Sequence, residues 1–385
     1  MISRRDFLAR SAFIGCSLAA SPLATPVTFA AAAWDARLVV IILRGGMDGL
    51  DVVRPVGDPA YAALRPTLAA ANLGLDLDGY FQLHPALAPL MPLWQREELG
   101  FFHAVSTPYR DKRSHFDGQD ILEAGTDPRG AFARGGWLNR MLQVMPDVRA
   151  DTAYAIGNND IRVLNGDAAV ANWAPDARLT LSPAALRLAE LVMEDDPALH
   201  AAVAEAQMLS DSTAPGGGGG RAHQKVARFA ADRLRGSARI AAFSLNGWDT
   251  HRRQDRSLPR SLQQLSETLL TLRSGVGADV WGKTAVIAMT EFGRTARENG
   301  TGGTDHGTAG LMVMAGGAVR GGQVMGRWPG LDPANLYQER DLMPTADVRA
   351  PAAWIMRGLT GLDRSTLETS VFPGLQMGSD PGLLR

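Results

Sequence analysis

Five short polar strings in this chain hold the residue types that bind divalent metals and oxyanions. The first, Arg44-Gly45-Gly46-Met47-Asp48-Gly49-Leu50-Asp51, offers two carboxylates among glycines. The second, Arg110-Asp111-Lys112-Arg113-Ser114-His115-Phe116-Asp117, sets a hydroxyl beside several cations. Asn246-Gly247-Trp248-Asp249-Thr250-His251, Thr290-Glu291-Phe292-Gly293-Arg294 and Asp305-His306-Gly307 complete the set. Asp, Glu and His together suit borderline metals such as zinc or manganese, and calcium is admitted as well. Each string alone has a plainer reading. Asp249 and His251 could cap a turn, Glu291 could pair with Arg294 or Arg297, and Asp48 and Asp51 could be turn residues bonding their own backbone.

The elements around the strings give them weight. Leu38-Val39-Val40-Ile41-Ile42-Leu43 is a continuous apolar run, as in a strand buried on both faces. Further strands are predicted at 99–105, 239–245, 284–289 and 311–315, and helices over 86–96, around Ile121-Leu122-Glu123 and over 346–359. Leu258, Leu262, Leu265, Leu269 and Leu272 form one helical stripe. Strands alternating with helices predict an α/β fold with a mostly parallel sheet covered on both faces. Four of the strings follow predicted strands and the fifth precedes one. The ends of parallel strands share one edge, where such folds bind ligands.

Residues 157–235 interrupt the alternation. They hold short extended pieces, two predicted helices (183–194 and 197–209) and the pentaglycine Gly216 to Gly220. The stretch reads as an inserted, largely helical region with a glycine-rich loop.

Residues 1–32 resemble a twin-arginine export signal: Ser3-Arg4-Arg5-Asp6-Phe7-Leu8, a modest apolar run from Ala12 to Ala20, then Ala30-Ala31-Ala32-Ala33. The run is too short and broken for a stable membrane span. The expectation is a periplasmic protein of residues 33–385, carried already folded by the twin-arginine translocase. The only cysteine, Cys16, lies inside the signal, so the mature chain would have neither thiol nor disulfide. Its 36 basic and 39 acidic residues would leave a formal charge of −3. No basic face for nucleic acid is evident, and no nucleic-acid partner is expected.

The strings "LRGGMDGLD", "RSHFDGQD", "GWDTH", "TEFGRT" and "GTDHG" together resemble the secreted domain-of-unknown-function family 1501. The order of parts also resembles the alkaline phosphatase superfamily, which includes sulfatases. The likeness runs from about Arg37 to Gly378. It implies an alkaline-phosphatase-like fold and a metal set of Asp48, Asp249, His251, Glu291, Asp305 and His306. Where the superfamily places an Asp-His pair, this chain has Glu291-Phe292, so one imidazole is missing. The resemblance also implies a nucleophile opening the helix after the second strand, and Ser114 stands there. Ser106 is the alternative, since Ser106-Thr107-Pro108-Tyr109-Arg110 matches the S-x-P-x-R string that sulfatases modify. Cations at a helix start, Arg113 among them, favour an anion beside Ser114.

Two functions follow as expectations. One is a metal-dependent hydrolase of phosphate or sulfate esters, acting on a small anionic ester or a sulfated or phosphorylated glycan. The other is a non-catalytic periplasmic binding protein on the same fold.

Overall fold

The computed structural model describes residues 34–70, 73–127, 135–157, 161–174 and 221–385. The stretch expected to be an export signal, both helices expected at 183–209 and the pentaglycine lie outside the described residues. The fold below is that of the unit Ala36–Arg385.

Among the described residues nine strands make the main sheet: β1 (Arg37–Arg44), β2 (Leu99–Ser106), β3 (Ala153–Ile156), β4 (Ala171–Trp173), β5 (Ile240–Asn246), β6 (Thr284–Met289), β7 (Gly310–Ala315), β8 (Val324–Met325) and β9 (Ala346–Asp347). Their order is β8-β2-β7-β6-β1-β5-β3-β4, with β9 paired to β2. β1 lies at the centre, parallel to both β5 and β6. Side chains alternate across a sheet, so a strand buried at every position is covered on both faces. Val39, Ile41 and Leu43 join a core with Leu262, Leu265 and Leu269. Leu38, Val40 and Ile42, on the opposite face, are equally buried. The predicted α/β class is the observed one.

One strand runs against the rest. β7 is antiparallel to both of its neighbours, β2 and β6. Its start therefore lies at the edge where β1, β2, β5 and β6 end. That reversal brings the string preceding β7 to the same edge as the four that follow strands.

Four helices position the site or the core: α1 (His115–Ala124), α2 (Ala222–Arg235), α3 (Gln254–Val276) and α4 (Arg349–Thr360). The leucine stripe lies on α3 and is buried throughout. Two boundaries differ from expectation. The helix expected over 86–96 is a 3₁₀ segment, Pro85–Leu90, followed by a short α-helix, Met91–Gln95. Pro89 and Pro92 lack the N–H donors a continuous helix needs. The last helix starts at Arg349 because Ala346–Asp347 pairs with β2. Asp347 then accepts the Arg349 N–H and starts the helix.

Within 157–235, the described parts join the main body. β4 forms the sheet edge beside β3. Trp173 stacks on Phe229 of α2 with centroids 3.9 Å apart.

Candidate metal centre at the strand-end edge

Three imidazoles and one carboxylate meet at this edge. His115 opens α1, directly after the N-cap Ser114. Asp249 and His251 follow β5, and His306 precedes β7. The ligand atoms of His115, Asp249 and His306 all lie within 4.8 Å of one another, a group able to hold a metal ion. His251 adjoins them: its Nε2 is 3.1 Å from Asp249 Oδ1 and 2.9 Å from His306 Nε2.

The outer nitrogens fix the tautomers. His115 Nδ1 lies 2.8 Å from Glu291 Oε1, His251 Nδ1 3.1 Å from Asp305 Oδ1, and His306 Nδ1 2.8 Å from the Arg113 carbonyl. A carbonyl and two carboxylates only accept, so each Nδ1 donates and each Nε2 turns inward as a lone pair. This is the arrangement that orients metal-binding histidines. His115 Nε2 is buried without a hydrogen-bond partner, with Asp249 Oδ1 3.5 Å away. An orphaned imidazole nitrogen facing two more lone pairs and a carboxylate fits a divalent cation.

Charge is managed by burial and by arginine. Burial disfavours the charge on Asp249, but the Arg294 guanidinium, 2.6 Å away, outweighs it and holds the carboxyl below its usual range. Arg294 is itself fully buried and also donates to the carbonyls of Gly45, Gly46, Trp248 and Thr304. One guanidinium thus ties together the segments after β1 and β5 and the loop before β7. Burial also opposes charge on Glu291, but hydrogen bonds from His115, Gln119 and Thr290 keep its pKa low. The Glu291 hydrogen bond raises His115, whereas burial lowers His306.

Close packing holds the edge together. At Gly45, with φ of 124°, a Cβ would sit 2.6 Å from the Asp249 nitrogen. Only glycine admits that approach and that backbone conformation. Phe292 forms an apolar wall, its centroid 5.1 Å from His115 and 5.0 Å from His306.

The sequence-predicted residues separate into three groups. Asp249, His251 and His306 come together. Glu291 and Asp305 stand behind them, holding the Nδ1 atoms of His115 and His251. Asp48 lies apart and fully buried. Its Oδ2 accepts from Arg65 at 2.7 Å and Gln254 at 2.6 Å, and its Oδ1 has no hydrogen-bond partner. Ser114 caps α1, its Oγ accepting from the Asp117 N–H at 3.4 Å. Ser106 is buried, donates to the Thr107 carbonyl and accepts from Arg110. The Arg113 backbone anchors His306, while its side chain reaches toward Asp341. His115 went unassigned in the sequence reading. Its signal was its place one residue after Ser114, at the expected start of the helix that follows β2.

Fold and site define an α/β protein with a candidate metal centre at the carboxyl edge of its sheet. The chain belongs to the family described as "Protein of unknown function (DUF1501)", whose profile matches residues 103–350. No curated protein matches it. Similar solved structures include the lipoteichoic acid synthase LtaP from Listeria monocytogenes, at 10% identity over 68% of this chain and 57% of that one, with TM-score 0.35. A protein in the alkaline phosphatase superfamily from Vibrio parahaemolyticus matches at 10% identity over 84% and 66% of the chains, with TM-score 0.38. The lipooligosaccharide phosphoethanolamine transferase A from Neisseria meningitidis matches at 12% identity over 82% and 55%, with TM-score 0.37. The chain thus spans between 55% and 66% of the length of these three proteins. Among the described residues no helix is long and apolar enough to cross a membrane.

Proposed function

We propose that the protein is an exported, metal-dependent hydrolase of phosphate or sulfate esters. The observation that carries this reading is the convergence of the Nε2 atoms of His115, His251 and His306 on Asp249, each ring held from behind. A bound divalent ion, zinc or manganese by donor type, would polarise an ester oxygen and ease deprotonation of the attacking group. His115, His251, His306 and Asp249 would hold that ion, with Glu291 and Asp305 keeping two of the rings in place. Ser114 is favoured over Ser106 as nucleophile, because Ser106 is buried and engaged on both sides. Arg113 supplies positive charge beside the anionic group. Water is the alternative nucleophile, with Ser114 then only capping α1.

The test is turnover of aryl phosphate and aryl sulfate esters by protein loaded with zinc or manganese. The expected result is hydrolysis of at least one class, abolished in His306→Ala. Loss in Ser114→Ala assigns the serine, and retention assigns water. If loaded protein hydrolyses neither class, including glycan sulfates, the proposal fails. Export is tested with Arg4→Lys plus Arg5→Lys, which should leave unprocessed precursor in the cytoplasm. Normal periplasmic recovery of that variant would refute a twin-arginine route.

A second reading, a binding protein without catalysis, is favoured by the Asp249–Arg294 pair. Arg294 already neutralises Asp249, so the cluster balances that charge without an ion. Metal-free protein from the periplasm, with no thermal shift on adding zinc, manganese or calcium, would support it.

A further inference from the structure

Two loops face each other beside His306. One runs from Arg110 to Ser114, the other from Tyr337 to Asp341. Asp111 Oδ1 accepts from the Tyr337 hydroxyl and the Gln338 amide, both at 2.9 Å. Arg113 Nη2 lies 3.7 Å from Asp341 Oδ2, and Arg340 Nη1 lies 2.8 Å from Asp341 Oδ1. Both arginines also touch the metal-centre histidine. The Arg113 carbonyl accepts from His306 Nδ1, and Arg340 Nη1 donates to the His306 carbonyl at 3.0 Å.

The backbone is strained at this place. Eight non-glycine residues have positive φ among the described residues, and four of them lie in these two loops: Asp111, Arg113, Gln338 and Glu339. Left-handed backbone at such residues costs about 1 kcal/mol or more each, and it persists where surrounding contacts enforce it. Gln338 and Glu339 lie inside the turn that Tyr337 and Asp341 close by exchanging backbone hydrogen bonds, and Asp111 is held across the loops by Tyr337 and Gln338.

Two guanidiniums flank the Asp341 carboxylate, which is fully buried and also accepts from Thr308 Oγ1 at 2.9 Å, and the Arg340 charge also acts on Asp305. About a third of each arginine side chain remains exposed. Nε and Nη2 of Arg340 have no hydrogen-bond partner among the described residues. Guanidinium forks match tetrahedral oxyanions, offering paired donors with charge.

We propose that Arg340 and Arg113 form a two-guanidinium clamp for the free oxygens of a tetrahedral oxyanion, the phosphoryl or sulfuryl group of the ester, beside His306. Asp341 is the positioning residue that holds both arms. The placement of that group rests on the hydrolase reading, but the clamp itself is an anion site and is testable without turnover.

The test is calorimetric titration of the metal-loaded full chain with inorganic phosphate and, separately, with inorganic sulfate. The tighter-bound anion identifies the ester class. Arg340→Gln and Arg113→Gln should each weaken binding about tenfold or more while metal content stays unchanged. Arg340→Lys should lie between wild type and Arg340→Gln, since lysine keeps the charge without the fork. Absence of oxyanion binding, equal binding in wild type and both glutamine variants, or loss of metal in Arg340→Gln would each overturn the clamp. Arginine-dependent binding without ester turnover would leave the clamp standing and the hydrolase reading refuted. Turnover with oxyanion binding indifferent to both arginines would do the reverse.

Discussion

The Nε2 atoms of His251 and His306 face each other at 2.9 Å, although the Nδ1 of each ring is already committed as a donor. Two lone pairs cannot approach so closely without a proton or a cation to share. His115 Nε2 points into the same space with no hydrogen bond. Purified protein should therefore hold about one divalent ion per chain. His115→Ala and His306→Ala should each lower that content in elemental analysis. Both should also lose the rise in melting temperature on adding metal, a stabilisation of about 2.7 kcal/mol at a hundredfold excess over Kd.

Glu291 and Asp305 are expected to act on the metal through the rings they hold. Glu291 is buried and takes hydrogen bonds from Gly45, His115, Gln119 and Thr290. Glu291→Gln places an amide donor among these donors and should weaken metal affinity by about 10–100-fold. Asp305 is half-exposed, so Asp305→Asn should cost less. Competition against a chromogenic chelator measures both, and equal losses would contradict the ordering.

Stability should fall on the acid side because of two other histidines. His84 Nδ1 accepts the Ala86 N–H at 3.1 Å, and His103 Nδ1 accepts the Ala104 N–H at 2.9 Å. A proton on either nitrogen would oppose its partner, and burial pushes both pKa values down to about 4 from 6.5. The unfolded chain takes up these protons below about pH 6.5, whereas the folded chain resists them until about pH 4. Stability from this source is complete above pH 6.5 and declines as pH falls to 4, by about 3 kcal/mol per histidine. Urea unfolding at pH 7 and pH 4.5 measures the slope, and His103→Gln should flatten it.

Asp48 and Arg65 are a buried ion pair, and breaking it from one side leaves an unpaired charge. Arg65→Met should destabilise by about 3–5 kcal/mol, and Asp48→Leu combined with Arg65→Met by less. Folded Asp48→Asn should keep its metal, since Asp48 stands outside the imidazole cluster. Loss of metal in that variant, at unchanged fold content by circular dichroism, would place Asp48 among the ligands.

Much of the fold was legible in residue order. An unbroken apolar run as short and as rich in β-branched residues as Leu38 to Leu43 favours a strand covered on both sides. The leucine stripe of α3 has one face to bury. Short polar strings at strand boundaries followed from the same pattern, and they gave Asp249, His251 and His306 as candidates. Which of the others touch the metal space was decided by geometry that linear order does not carry. The antiparallel course of β7 determines the edge at which His306 stands. His115 and Glu291, 176 positions apart, become partners only in the fold, where the carboxylate holds the ring whose Nε2 faces the candidate metal centre. Asp48, read as a ligand from its place after the first strand, pairs through Oδ2 with Arg65, seventeen residues on, a partner that linear order does not announce. The roles of Arg294 and Arg340 were hidden for the same reason. A guanidinium's role depends on which carboxylate the folded chain brings within about 4 Å of it, and charge in a sequence has no direction until packing supplies one.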